Sequence, residues 1–420
     1  MIQRWFKSLG PGLITAALVF GPGSLTITSK LGAVYGYHLL WVIIIAALLM
    51  LTFTGMGARI GLASEHSLIT LFRNKWGKSA ALLAGISVFF VTAAFQAGNT
   101  VGAGLALSES LGQTNSLWIV IISLMAISLL FFKSFYKILE KVMMLMVGIM
   151  LISFLFTLIL APPAWDEVLS GLSPNIPEGS FILVIALVAS SFSIAGAFYQ
   201  SYLVQEKGWK KEESNDALRE SYTGIVVLGL ISSMIMISAA TILYPKGVTV
   251  TSAGDIGMAL EPVYGKFSFM VFMVGLFGAS FSSLLGNASI GGTLLSDSMS
   301  LGRNLNSTPV KILISLIIII GASIALIFGR LPLELIVFAQ GITIADNKTI
   351  TLGTNSDVTI QYDETTNDSL EIAANVEGAA LGIVLKADQG DDAGDEWKLN
   401  IADGGTLTLG NDINSAGTYV

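Results

Sequence analysis

Two short breaks in apolar sequence carry the chemistry of this chain. Gly21-Pro22-Gly23-Ser24 interrupts the run LITAALVF to LTITSKLG, and Ser193-Ile194-Ala195-Gly196 interrupts FILVIALVASSF to AFYQSYLVQ; the breaks begin 172 residues apart. Backbone that leaves a helix at membrane depth exposes amide and carbonyl groups, which persist only where protein or a water-filled cavity covers them. Interruptions at matching positions in two halves of a membrane chain point to the midplane site of a secondary transporter. The chemistry on offer is binding, through small side chains and free carbonyls. The candidate contacts are Gly21, Gly23, Ser24, Ser193, Ala195, Gly196 and, just past the second break, Gln200.

What is missing narrows the chemistry further. Neither break contains Asp, Glu, His, Lys or Arg. Charged groups inside membranes mark ion and proton paths, so a bare divalent cation held by carboxylates is not expected here. The chain has no cysteine, and His38 and His66 are its two histidines, which excludes thiolate and multi-histidine metal sites. No metal site, cofactor, phosphate-cradling loop, hydrolase triad or nucleic-acid patch is read, so an enzyme is not expected. The partners are the lipid bilayer and a small ion or solute.

Other polar residues have two readings each. Thr28 and Ser29 either face the first break or bond their own helix backbone. Gln96 and Asn99, three apart, share one helix face and either line a polar path or link helices. Gln340 is equally ambiguous. Met143, Met144, Met146 and Met150 read as packing, and the glycines and serines from Gly275 to Gly292 as a face that lets helices approach closely.

The elements that must position these residues are membrane helices. The 420 residues are 53% hydrophobic and 12% charged, where soluble domains carry about 25% charged residues. A spanning helix needs about 20 apolar residues, which predicts spans near 9–34, 38–60, 80–106, 116–132, 136–160, 181–205, 222–244, 267–294 and 310–329. A tenth begins at Leu331 but runs only 14 residues before polar sequence starts. With the N-terminus inside, 15 Lys and Arg fall on the cytoplasmic side and 4 on the other, a strong positive-inside bias. The first helix is expected to act as an uncleaved anchor, and the run Glu206 to Arg219 as a solvated cytoplasmic loop.

Residues 345–420 differ in kind. They hold 14 acidic and 3 basic residues, against 15 and 19 in the rest of the chain. TITLG and TLTLG repeat near their two ends, and DVTIQY, SLEIAANV, GIVLKA and WKLNI are short, β-branched and bounded by turn residues. That pattern predicts antiparallel strands. The predicted organisation is a membrane domain over 1–344, with nine full spans and a partial tenth, and an acidic soluble β-rich segment over 345–420.

The stretch GPGLITAALVFGPGSLTITSKLGAVYGYHLLWV resembles the opening of NRAMP-type (natural resistance-associated macrophage protein) divalent-metal transporters. YKILEKVMMLMVGIMLISFLF, the P-x-I-P-E-G-S before the sixth span and the Y-x-x-x-L-V-Q at its end resemble the family too. The likeness runs from about residue 9 to 343. It implies an all-α membrane protein of LeuT type: two inverted five-helix repeats, with helices one and six broken around a central site.

The same resemblance shows what has changed. The family's Asp-Pro-Gly-Asn is here Gly21-Pro22-Gly23-Ser24, and its Met-Pro-His aligns with Ser193-Ile194-Ala195. Gln200 stands where the family often has a further histidine. Gln96 and Asn99 stand where it usually has Asp and Glu linked to proton movement. Gln340 matches a glutamine lining the family site. The match stops inside helix ten, leaving the second repeat incomplete, and the following acidic segment resembles repetitive β-structure of phage or virion surface proteins. The expected function is alternating-access transport across the inner membrane of a hydrated, Mg²⁺-like cation or another small solute. The alternatives are a non-transporting anchor that displays the β segment, or a chimeric chain.

Overall fold

The computed structural model describes residues 11–132, 135–247, 250, 257, 261 and 265–328, together with six strands between residues 349 and 411. The chain divides into two compact units, between Gly341 and Ile342.

The first unit is a helical bundle. Its first span is broken: α1 (Pro11–Val19) and α2 (Pro22–Tyr35) meet at a 66° bend. Pro22 sits at the start of α2, where its missing N–H and fixed φ cost nothing. Then come α3 (Leu40–Ala63), α4 (Leu68–Leu111), α5 (Asn115–Leu130), α6 (Phe135–Leu160) and the short α7 (Trp165–Ser170). Ser67 caps α4 by accepting from the Thr70 amide at 3.0 Å. Gly77, at φ 87°, then kinks it in the left-handed region that favours glycine. The remaining helices are α8 (Phe181–Ser191), α9 (Ile194–Lys207), α10 (Ser214–Ile242), α11 (Lys266–Ser298) and α12 (Thr308–Phe328).

Among the described residues, seven helices are long and apolar enough to cross a membrane, eight counting the bent pair, and Asn115–Leu130 is a shorter apolar helix. Each of the nine stretches read as a span overlaps one of these helices or a pair of them. The tenth segment, from Leu331, lies outside the described residues.

The core lies along α11, which packs against α4, α6, α12 and α1. Apolar burial drives helices together only weakly in lipid, so small residues and interhelical hydrogen bonds carry the association. α11 follows that rule. A Cβ on Gly286 would sit 2.9 Å from the Leu18 Cα, so only glycine lets α1 lie this close. Met143, Met146 and Met150 are buried packing residues of α6. Large apolar side chains such as Ile152 and Ile327 point outward, 71% and 76% exposed, as a lipid-facing surface requires.

The second unit contains two three-stranded antiparallel sheets, β1-β2-β3 and β4-β5-β6. The first is β1 (Thr349–Leu352), β2 (Val358–Asp363) and β3 (Ser369–Ala374); the second is β4 (Leu381–Lys386), β5 (Glu396–Ile401) and β6 (Leu407–Asn411). The repeated T-x-T-L-G motif enters β1 and β6, the outer strands of the two sheets. Ile350 pairs with Ile360, and Leu399 with Leu409.

Candidate substrate site

The first break is built by satisfying one set of backbone groups and leaving another uncapped. The last bond of α1 runs from the Phe20 amide to the Ala16 carbonyl, at 3.1 Å. The next carbonyls have no helical partner, and α11 supplies side chains instead. Ser282 Oγ donates to the Ala17 carbonyl at 3.0 Å, and Ser283 Oγ to that of Leu18 at 2.9 Å. Asn287 Nδ2 adds bonds to the Leu18 carbonyl at 3.3 Å and to Ser283 Oγ at 2.9 Å. At Gly21 the backbone is extended, and no side chain caps the N-terminus of α2. The first turn of α2 is buried at a dipole end that favours acceptors.

Gly21 is required by crowding. A Cβ there would lie 2.7 Å from Ser283 Oγ and 2.9 Å from Asn99 Oδ1. The Asn99 side chain therefore reaches the break from α4, and its Nδ2 is buried without a partner. On α11, Ser280 Oγ is also buried and unpaired. Ser24 bridges the two interruptions: its hydroxyl lies 3.5 Å from the Val19 carbonyl and 3.4 Å from the Ser190 carbonyl of α8. Gly23 is buried beside it.

The second break is gentler. Phe192 and Ser193 leave helical geometry, but no bend above 40° separates α8 from α9. Ser193 is the N-cap of α9, and its Oγ accepts from the Gly196 amide at 3.0 Å. Gly196 is buried against α1, with room for a Cβ no closer than 3.1 Å from the Val19 side chain. Ala195 is half-buried beside it.

The other expected contacts fall in three places. Gln200 is fully buried and joins three helices: its Oε1 accepts from Thr15 Oγ1, and its Nε2 donates to Ser221 Oγ at 2.7 Å. Gln96 Nε2 donates to the Leu284 carbonyl at 3.0 Å, while its Oε1 has no partner. Thr28 is buried without a hydrogen-bond partner, whereas Thr26 and Ser29 bond the Pro22 and Leu25 carbonyls of their own helix, both at 2.7 Å. Gln340 lies outside the described residues. No group of three or more His, Asp or Glu side chains capable of holding a metal occurs among the described residues.

Two functional features escaped sequence reasoning. The first is the pairing of α11 hydroxyls with α1 carbonyls. Its signal was Asn287 four residues past Ser283, one turn along the same face. The second is a polar network at the end of the bundle rich in Lys and Arg. There Arg303 donates to Gln205 Oε1 at 2.5 Å and to the Glu65 carbonyl at 2.9 Å, and Tyr202 donates to Asp297 Oδ2 at 2.6 Å. Arg73 reaches the Asp297 carbonyl at 2.6 Å. Beside the network lies a partly open cavity of about 70 Å³ lined by Tyr199, Thr293 and Arg303.

Two interrupted helices meeting inside a multi-pass bundle define a secondary transporter of the LeuT type. The chain belongs to the natural resistance-associated macrophage protein-like family, whose model matches residues 12–345. It is 23% identical over 336 residues to the divalent metal cation transporter MntH of Caldanaerobacter subterraneus, covering 77% of this chain and 79% of that one. The fold is similar to that of the Eremococcus coleocola manganese transporter, with TM-score 0.63, 20% identity, and coverage of 76% of this chain and 70% of the other. It is also similar to Mhp1, a nucleobase-cation-symport-1 family transporter, with TM-score 0.57, 15% identity, and coverage of 79% and 75%. The chain is thus a multi-pass membrane protein of a transporter family, and its LeuT-type bundle is the one expected from the resemblance.

Proposed function

We propose that this protein moves a small polar solute by alternating access about the Gly21–Ser24 and Ser193–Gly196 breaks, through a site without formal charge. The observation that carries this reading is the state of the α1 carbonyls. Ala17 and Leu18 already accept from Ser282, Ser283 and Asn287. A dehydrated cation would have to displace those donors, and no carboxylate among the described residues of the two breaks would replace them. The uncapped α2 N-terminus, Asn99 and Ser280 instead offer unused hydrogen-bonding groups. Gly21, Gly23, Ser24, Ser193, Ala195 and Gly196 form the contact surface, with Gln200 behind it; Thr28, Gln96 and Asn99 line the approach, and Gln340, outside the described residues, is kept as a further candidate contact.

A second reading follows from the relatives, which are named as divalent metal and manganese transporters. The cargo is then a cation such as Mg²⁺ that surrenders its waters reluctantly and passes hydrated. In both readings residues 1–344 carry transport in the inner membrane. The N-terminus and the Lys/Arg-rich end face the cytoplasm, and residues 345–420 are a separate soluble segment.

Proteoliposome uptake of Mn²⁺ and Mg²⁺ by the full chain separates these readings. The expected result is no saturable Mn²⁺ uptake below about 100 μM, a range in which tight protein ligation would act. Millimolar Mg²⁺ flux would move the assignment to the hydrated cation. Micromolar Mn²⁺ uptake would contradict an uncharged site, and its survival in Ser24→Ala would contradict the location as well.

A further inference from the structure

Hydrogen-bond donors and acceptors are not evenly matched around the first break. On the α1 side they are paired: Ser282, Ser283 and Asn287 donate to the Ala17 and Leu18 carbonyls, and Asn287 also donates to Ser283 Oγ. On the α2 side donors are left over. The first backbone bond of α2 runs from the Leu25 amide to the Gly21 carbonyl at 3.0 Å. The amides of Gly23 and Ser24 therefore precede the helical ladder, and no side chain caps them. Both residues are buried.

Two side chains from other helices reach the same turn. Asn99 of α4 is 3% exposed, and its Oδ1 would lie 2.9 Å from a Cβ on Gly21, the N-cap residue. Its Nδ2 is buried without a partner, and a half-turn of the amide about its last bond exchanges the two atoms. Ser280 of α11 is fully buried, and its hydroxyl is unpaired. A Cβ on Gly102 would lie 2.6 Å from Ser280 Oγ and 2.7 Å from the Pro22 Cβ, so this hydroxyl sits against the first residue of α2. Buried polar groups without partners are destabilising, and a ligand that pairs them removes the penalty.

Resting on the transport reading above, we propose that the solute is a small organic acid, whose carboxylate is held at the first break by the Gly23 and Ser24 amides, Asn99 Nδ2 and Ser280 Oγ. A carboxylate presents about four lone-pair sites, one for each of these donors. Ionised acceptors form the shorter and stronger hydrogen bonds, and the dipole end of α2 favours their charge. A neutral amide would set its own N–H groups against these donors. A bare metal cation would bring no lone pair to them. The satisfied α1 carbonyls and the spare α2 donors thus select the same sign of ligand.

The test uses the full chain carrying Ser24→Cys, which places a single thiol beside the donors, since the sequence has no cysteine. Its labelling by a maleimide in detergent is timed with acetate, lactate or succinate, and with acetamide or chloride as controls. At least one of the three acids at about 20 mM is expected to slow labelling about threefold, as a site half-filled near about 10 mM would. Acetamide and chloride are expected to leave the rate unchanged. Asn99→Leu and Ser280→Ala, each added to Ser24→Cys, are expected to lose the protection. Thermal unfolding of the unsubstituted chain gives a second measurement if the Cys variant does not fold: the acid, and not acetamide, raises the midpoint. No effect from any of the three acids, an equal effect from acetamide, or an effect that survives both substitutions overturns the carboxylate site. Labelling from both membrane faces without protection by acid overturns the carboxylate and leaves the transport reading standing. Protection in detergent with labelling from neither face does the reverse.

Discussion

The two broken spans solve one problem in different ways. In the first, the chain bends by 66° and places its orphan carbonyls against α11, whose serines and Asn287 satisfy them. In the second, the interruption is short, the bend does not exceed 40°, and Ser193 caps the following half-helix from within its own chain segment. The first break is therefore a tertiary structure, fixed by helices distant in sequence, and the second is a local one. Under the proposed alternating access, the break held by α11 would be the fixed side of the site and the locally capped one the side freer to move. Ser24, reaching a carbonyl on each side, is the joint between them.

Substitutions can break or sharpen that contrast, and unfolding in detergent measures each of them. The largest loss is expected for Gly21→Ala, about 2–3 kcal/mol, because its Cβ would crowd Ser283 Oγ and Asn99 Oδ1 at once. Ser283→Ala comes next, at about 1–2 kcal/mol, since the Leu18 carbonyl then keeps only the longer Asn287 bond. Ser193→Ala is expected to cost about 1 kcal/mol, the usual value of an N-cap. Gly196→Ala is the smallest, under about 1 kcal/mol, because the atoms near its Cβ are movable ends of Val19, Ser193 and Leu18 side chains and alanine favours the helix. If Gly196→Ala proved as damaging as Gly21→Ala, the second break would be no looser than the first.

Much of the fold was legible because membrane helices obey a length and hydropathy rule that single-sequence reading captures. The expected spans overlap the observed helices, and the alternating segments DVTIQY and WKLNI fall in β2 and β5. The position of the breaks was legible from Gly21, Pro22 and the small residues after Ser193. Their character was not. Nothing in SFSIAG tells that the bend there stays within 40°, because the bend depends on what packs against each half. The same holds for Gln200: its side chain reads equally well as a contact or as a strut, and only the positions of Thr15 and Ser221 show its amide engaged between helices. Lys207 was hidden in a charged run that reads as solvated, and its burial follows from Glu140, 67 residues earlier. Long-range pairing is the information that composition and periodicity do not carry.

The central claim is that the two breaks enclose a pocket reached from each side of the membrane in turn. Ser24→Cys tests it, because Ser24 touches both breaks, is 4% exposed, and would be the sole thiol in the chain. With an impermeant thiol reagent applied to right-side-out and to inside-out vesicles, the account expects slow but complete labelling from both faces. Labelling from neither face, or from one face only under every condition that shifts the other helices, would contradict it.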